Sequence, residues 1–301
     1  MLGVGQARAA NLPSNCTQSG TTVACTFSPG PEGTFAVPAG VTSLHVVAAG
    51  EAGAFNIQGV AGGPGAQVTA DLGVSAGSTL FVEVAIGGGT AGSSHAGRGG
   101  GESDLRTCSI SDASCPALGT ARDPRLLVAA GGGGAGDGSQ SGTGGAAGAG
   151  TNTCNPGSDG GPVADPDFGK PGKGGGCNRG GAGGAAGNLG LPGGDGTAGS
   201  GGAGGSGVVI DGGGGGGGSS YGPTGSVFTH AATGPQVVIS YTPAPTPTAS
   251  TATPTATPSA LALAPTGGPD LRLPLIGLTV IVAGLALFLI SAGRRRPSAG
   301  R

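Results

Sequence analysis

Tryptophan is absent from the 301-residue chain, aromatic residues make up only 3% of it, and charged residues 9%. Ordinary domains carry about 25% charged residues. Large core anchors are scarce, so a fold built from this sequence must draw more on backbone packing than on bulky side chains. Lysine occurs only at positions 170 and 173. Between positions 10 and 266 stand 14 acidic and 7 basic residues, a balance of −7 with histidine neutral. An acidic body without a basic stripe argues against nucleic acid as a partner, because that binding requires phosphate neutralisation.

Catalytic vocabulary is equally thin. Histidine occurs only at 45, 95 and 230. His45 lies in TSLHVVAA and reads as a side chain facing out of a strand rather than as a base. No serine sits in a G-x-S-x-G turn with plausible partners. The glycine run 131–136 is followed by no GK[ST], so it is not a phosphate-binding loop. Asp137, Asp159, Asp165, Asp167, Asp195 and Asp211 offer oxygens to calcium in principle, but they lack the nine-residue spacing of a calcium β-roll. The expectation is no enzyme, no cofactor and no metal. None of the six cysteines, Cys16, Cys25, Cys108, Cys115, Cys154 and Cys177, forms a CxxC pair. Their even number suits disulfides in an oxidising compartment. Fifteen pairings are open; the favoured set joins neighbours, 16–25, 108–115 and 154–177, each closing a short loop.

What the chain has in abundance is glycine, 73 residues against a usual share of about 7%. Short β-branched and apolar runs precede the densest part, at 21–27, 33–38, 42–49, 66–72, 78–86, 103–107 and 125–130. Three more follow at 208–210, 226–229 and 236–241. Short strands separated by turn signals predict an all-β sandwich, with the last strand closing it at the edge. Between 131 and 218, 41 of 88 residues are glycine. Nine of them, from Gly181 to Gly205, fall three apart without a miss. Polyproline II geometry has three residues per turn, so this spacing lines one edge of a helix with glycine, where neighbouring backbones can approach. The reading is a polyglycine II helix bundle inserted into the sandwich, its path doubling back near 165–167 and 188–192. Collagen shares the period but needs far more proline, and low-complexity disorder is the competing alternative.

The two ends carry a different message. Ala7-Arg8-Ala9 looks like an A-x-A cleavage site with only six residues before it, so 1–9 reads as a signal-peptide remnant whose start lies upstream. Residues 242–262 form a Pro/Thr-rich linker, expected to be disordered and to sample extended polyproline II at about 3.1 Å per residue. Then come Leu263-Ala264-Pro265-Thr266-Gly267, an uncharged run from 273 to 293, and Arg294, Arg295 and Arg296. The run matches one transmembrane helix, and the arginines would hold its end on the cytoplasmic side.

That three-part order resembles the sorting signal of Gram-positive cell-wall proteins, in the LAxTG variant found in actinobacteria. The resemblance implies that a sortase transpeptidase cuts between Thr266 and Gly267 and passes the Thr266 carbonyl to an amine of the peptidoglycan precursor. The strings FAVPAGVTSLHVVAAGEAG, GGPGAQVTADLGVSAGSTLFVEVAIGG, GGGESDLR and RLLVAAGGGGAG are similar to bacterial glycine-rich surface proteins. They also resemble the glycine-rich domain of the anaplastic lymphoma kinase receptor family. This implies a jelly-roll-like β-sandwich over 10–241 with glycine helices between strands; the receptor's cytokine-binding role does not transfer. The expected function is that of a wall-anchored surface protein with a structural or adhesive role, exposed outside the cell at the wall or membrane. The alternatives are an uncleaved single-pass display protein or an extracellular glycan-binding module.

Overall fold

The computed structural model describes residues 12–116, 118, 120, 122–163, 169–177, 179–187, 190–202 and 212–245. The leader remnant, most of the linker, the sorting pentapeptide, the transmembrane run, the expected strand 208–210 and the reversals at 165–167 and 188–189 lie outside them. The described residues are all-β and contain no helix. Twelve strands form two six-stranded sheets: β1 Cys16–Ser19, β2 Thr22–Phe27, β3 Gly33–Ala36, β4 Ser43–Ala49, β5 Ala66–Gly73, β6 Thr79–Ile86, β7 Glu102–Arg106, β8 Arg125–Ala129, β9 Cys154–Asn155, β10 Ser220–Tyr221, β11 Val227–His230 and β12 Gln236–Tyr241. The first sheet runs β1-β2-β12-β4-β5-β11, the second β3-β6-β7-β8-β10-β9. Every pairing is antiparallel.

Alternation decides which face each strand buries. In β4, Leu44, Val46 and Ala48 are fully buried while Ser43 and His45 point to solvent. They meet Leu80, Val82, Leu105 and Leu127 of the other sheet, with Val68, Val237 and Ile239, in one continuous core. The Phe35 ring closes one end against Tyr241, edge to face with centroids 5.8 Å apart. Contrary to the expected edge position, β12 lies inside its sheet, paired on one side with β2 and on the other with β4. Sequence order does not determine sheet order, and here the final apolar strand fills a gap between two early ones.

The glycine-rich segments leave the sandwich at one end. They follow β4, β6 and β8, and the register puts the close of β4 beside the openings of β5 and β12. Gly50 donates to Ala66, Glu51 to Gly101, and Ala66 to Ala130, which ties both sheets to the same set of segments. The opposite end of β12, at Tyr241, is where the chain runs on toward the linker.

At the centre of these segments is the uninterrupted glycine run 212–218, buried throughout. Gly212, Gly215 and Gly218 donate to the carbonyls of Asp137, Gly134 and Gly131, and accept from the amides of Gly142, Gly145 and Gly148. Gly213 and Gly216 donate to Ala185 and Ala182. Gly214 and Gly217 accept from Gly172 and Gly175, Gly217 donates to Ser158, and Gly216 accepts from Gly202. Each direction of bonding recurs every three residues, and the N···O distances lie between 2.8 and 3.2 Å. One segment thus has six backbone neighbours, and a Cβ on Gly213, Gly214, Gly216, Gly217 or Gly218 would lie 1.9–2.1 Å from a neighbour's carbonyl oxygen. Fixing this many glycines is entropically costly; the saturated backbone bonding and close packing offset it.

The triplet spacing therefore captures only part of the packing. Gly181 and Gly184 do face backbone, at the carbonyls of Gly216 and Gly213. So do the off-register Gly183 and Gly201, at Gly193 and Gly132. Gly199 instead adopts φ +94° and abuts the Glu102 carboxyl and Val128. All six cysteines are paired, 16–25, 108–115 and 154–177. Cys16 and Cys25 are register partners across β1 and β2, and Cys154–Cys177 spans two glycine-rich stretches.

Two substitutions test the central run. In Gly214→Ala and Gly217→Ala the new methyl would lie 1.9 and 2.0 Å from the carbonyl oxygens of Thr143 and Ala146. Each should cost about 3 kcal/mol, at the upper end for overpacking. Gly234→Ala, whose Cβ would meet nothing within 4 Å, should stay within about 0.5 kcal/mol of the parent. Thermal unfolding of the full chain in detergent, disulfides intact, reads the difference; equal melting of all three would mean the run is not packed.

Candidate functional site

Two arrangements of polar side chains stand out from the apolar body. The first lies on the outer face of the first sheet, at the end where the chain runs on to the linker. In register, Asp71 of β5 is opposite His45 of β4, and His45 is opposite Ser240 of β12. Facing pairs sit about 4.5–5.5 Å apart at Cβ, so three strands far apart in sequence place a carboxylate, an imidazole and a hydroxyl in one row. The His45 Nδ1–H donates to Asp71 Oδ1 at 2.7 Å, which leaves Nε2 presented to solvent. Both side chains are exposed. Beside the row is a groove of about 610 Å³ walled by Val41, Thr42 and Tyr241. Gly40, at φ +77°, turns the chain at its rim; a Cβ there would lie 2.6 Å from that of Ala244.

The order Asp–His–Ser matches that of a hydrolytic triad, but the chemistry is incomplete. Among the described residues no hydrogen bond joins Ser240 to His45. A nucleophile needs that bond and a pair of donors aimed at the developing oxyanion, whereas the amides around Ser240 are committed to the β2–β12–β4 ladders. The row presents groups that can exchange hydrogen bonds with a bound molecule.

The second arrangement is buried in the second sheet, where every residue of β7 is inaccessible. Arg106 forms a two-pronged pair with Asp104 through Nε, at 2.8 Å, and Nη2. Arg125 donates to Glu102 Oε2 at 2.7 Å, to Asp123 Oδ2 at 2.6 Å, and through Nη1 to the Ala198 carbonyl at 2.6 Å. The Glu102 amide meets Ser200 Oγ at 3.4 Å, and Ser200 Oγ donates to the Ile86 carbonyl at 2.8 Å. These contacts fasten the 197–200 turn, and with it the glycine-rich segments, onto the sandwich. Removing one partner of such a buried pair is far more costly than replacing both by apolar groups.

Carboxylates outnumber arginines in this cluster. Burial pushes Glu102 well above the usual carboxylate range, against the pull of Arg125, and raises Asp104 against its bonds to Arg106. Glu83, 3% exposed on β6, is pushed up to about 7 by burial, with Arg106 opposing and Asp104 and Glu32 adding to the rise. A bulge beside it, with Ala85 at φ +58°, interrupts the β6–β7 register. Glu32 in turn accepts from the Ser109 hydroxyl and, at 2.7 Å, from the Ile110 amide, so this carboxyl group reaches the loop closed by Cys108–Cys115.

Of the residues singled out in the sequence, the six cysteines are brought together in pairs, whereas Leu263, Ala264, Pro265, Thr266 and Gly267 lie outside the described residues. His45 does face outward, but paired with Asp71. Among the described aspartates, Asp159 binds Lys173 and the Gly174 amide, and Asp195 accepts from the Gly183 amide. No group of three His, Cys, Asp or Glu side chains placed to hold a metal ion occurs among the described residues. The buried cluster escaped the sequence reading, although Glu102, Asp104 and Arg106 share one strand face at i, i+2 and i+4 in a body nearly free of charge. Neither protein-family models nor curated proteins give a match to this chain.

The cluster sets a pH dependence. Between the ordinary carboxylate value, near 4.5, and about 7, folded Glu83 keeps a proton that the unfolded chain releases. Its contribution to stability is therefore full below the lower value and is lost as pH rises to about 7. Glu83→Gln should melt like the parent at pH 4 and about 2–5 °C higher at pH 8. A melting-temperature profile from pH 4 to 8 checks this; parallel curves would show that Glu83 does not titrate in that window.

Proposed function

We propose that this chain is a cell-wall-anchored surface protein with a structural or adhesive role, exported and then joined to peptidoglycan as a sortase substrate. The observation that carries the reading is the polarity of the body. Glycine-rich segments leave the sandwich at one end, and the chain leaves for the Pro/Thr linker, the LAPTG pentapeptide and the apolar run at the other. In this reading the apolar run would act as the membrane helix that retains the precursor for transfer. Three disulfides support an oxidising, extracellular setting. The role proposed is one of binding or support rather than catalysis.

The finer architecture belongs to the same proposal. The chain passes between two antiparallel sheets four times, which supports a jelly-roll-like sandwich. Backbone bonds recurring every three residues around the run 212–218 support polyglycine II helices, since three residues per turn returns the same face to the same neighbour. Such a bundle gives a rigid projection whose surface is mostly backbone and small side chains.

Digestion of cell walls followed by mass spectrometry tests the anchoring. The expected product is a C-terminal peptide ending at Thr266, its carbonyl joined to a peptidoglycan amine. If every recovered C-terminal peptide instead carries Arg294–Arg296 and partitions with membranes, the pentapeptide is not cut and the protein is a single-pass display protein.

A further inference from the structure

We infer that the groove beside Asp71, His45 and Ser240 is a binding site for a neutral saccharide. The inference stands on the geometry of the groove and does not depend on how the chain is anchored.

The row offers a graded set of hydrogen-bonding groups. Asp71 is an acceptor with one oxygen engaged by His45, and its exposed carboxylate has a second oxygen that can accept from a ligand. With Nδ1–H committed to Asp71, the second ring nitrogen, Nε2, is left to bond a ligand. Ser240 and Thr42 add hydroxyls, which both donate and accept. Vicinal hydroxyls of a sugar ring have the same dual character and a spacing that neighbouring strand positions can match. Thr22 and Thr242 also line the groove and add two further hydroxyls that both donate and accept.

Other ligand classes fit less well. None of the described lining residues is Lys or Arg, which leaves a phosphate, sulfate or carboxylate without a countercharge. A divalent cation would find one carboxylate and one imidazole, short of a full oxygen shell. The volume, about 610 Å³, falls in the usual range of about 300–1,000 Å³ for small-molecule sites.

Calorimetric titration tests this with the full chain in phosphocholine-detergent micelles, chosen because they carry no sugar. The probes are tetrasaccharides of N-acetylglucosamine, of β-1,4-linked glucose and of α-1,4-linked glucose. At least one should bind with a Kd below about 1 mM, an affinity of about 4 kcal/mol. His45→Ala, Asp71→Asn and Ser240→Val should each weaken that binding about tenfold or more, the conversion of a lost hydrogen bond worth about 1.4 kcal/mol. All three positions are on the outer face, so the variants should melt with the parent. Lys170→Ala, in the glycine-rich segments, should bind as the parent does. A second readout is the imidazole proton signal of His45, which should shift on adding the bound sugar while that of His230 does not. Binding by no probe, or binding unchanged in the three groove variants, overturns the inference.

Discussion

A buried peptide group must find a hydrogen-bond partner, and in this molecule that requirement governs more of the structure than hydrophobic burial does. A sandwich core forms where side chains allow it, from Leu44 and Val46 to Leu127 and Ile239. Beyond the sheet ends there are few large side chains to bury. The segments there persist because each donates and accepts with several others, and only glycine lets backbones come close enough on every side. Composition and architecture are two views of one fact: the scarcity of aromatic residues and the abundance of glycine follow from replacing side-chain packing by backbone packing.

The buried charges extend the same logic. Arg125 spends one guanidinium nitrogen on both a carboxylate and the Ala198 carbonyl, joining the sandwich to a turn with no large apolar side chain. Gly199 is required there because its Cβ would collide with Glu102. The ionic cluster is thus a fastening between two regions that share little apolar surface, held although burial raises the pKa of its carboxyl groups.

Much of the sandwich was legible in advance. Alternating apolar runs located most of the strands of both sheets, and short separations favoured the disulfide pairs that occur. Strands β1, β9 and β10 were not legible. CTQS has no apolar alternation and is ordered by its ladder to β2, while two-residue strands at Cys154 and Ser220 leave no periodic trace. The interior placement of β12 and the Asp71–His45–Ser240 row depend on which distant strands become neighbours, and no local pattern encodes that. The run 212–218 could have been read better: seven consecutive glycines leave no face for a side chain, a stronger statement of crowding than a glycine at every third position.

The interior position of β12 has a mechanical consequence. The chain leaves the sandwich from the far end of a strand flanked on both sides by partners, five register pairs to β2 and five to β4. Tension on the C-terminus acts along the axis of β12, across its hydrogen bonds. Resisted at the glycine-rich end, that load falls on both ladders at once in shear. An edge strand pulled the other way would open like a zipper, one bond after another. This body instead meets a pull with two rows of bonds that must yield together.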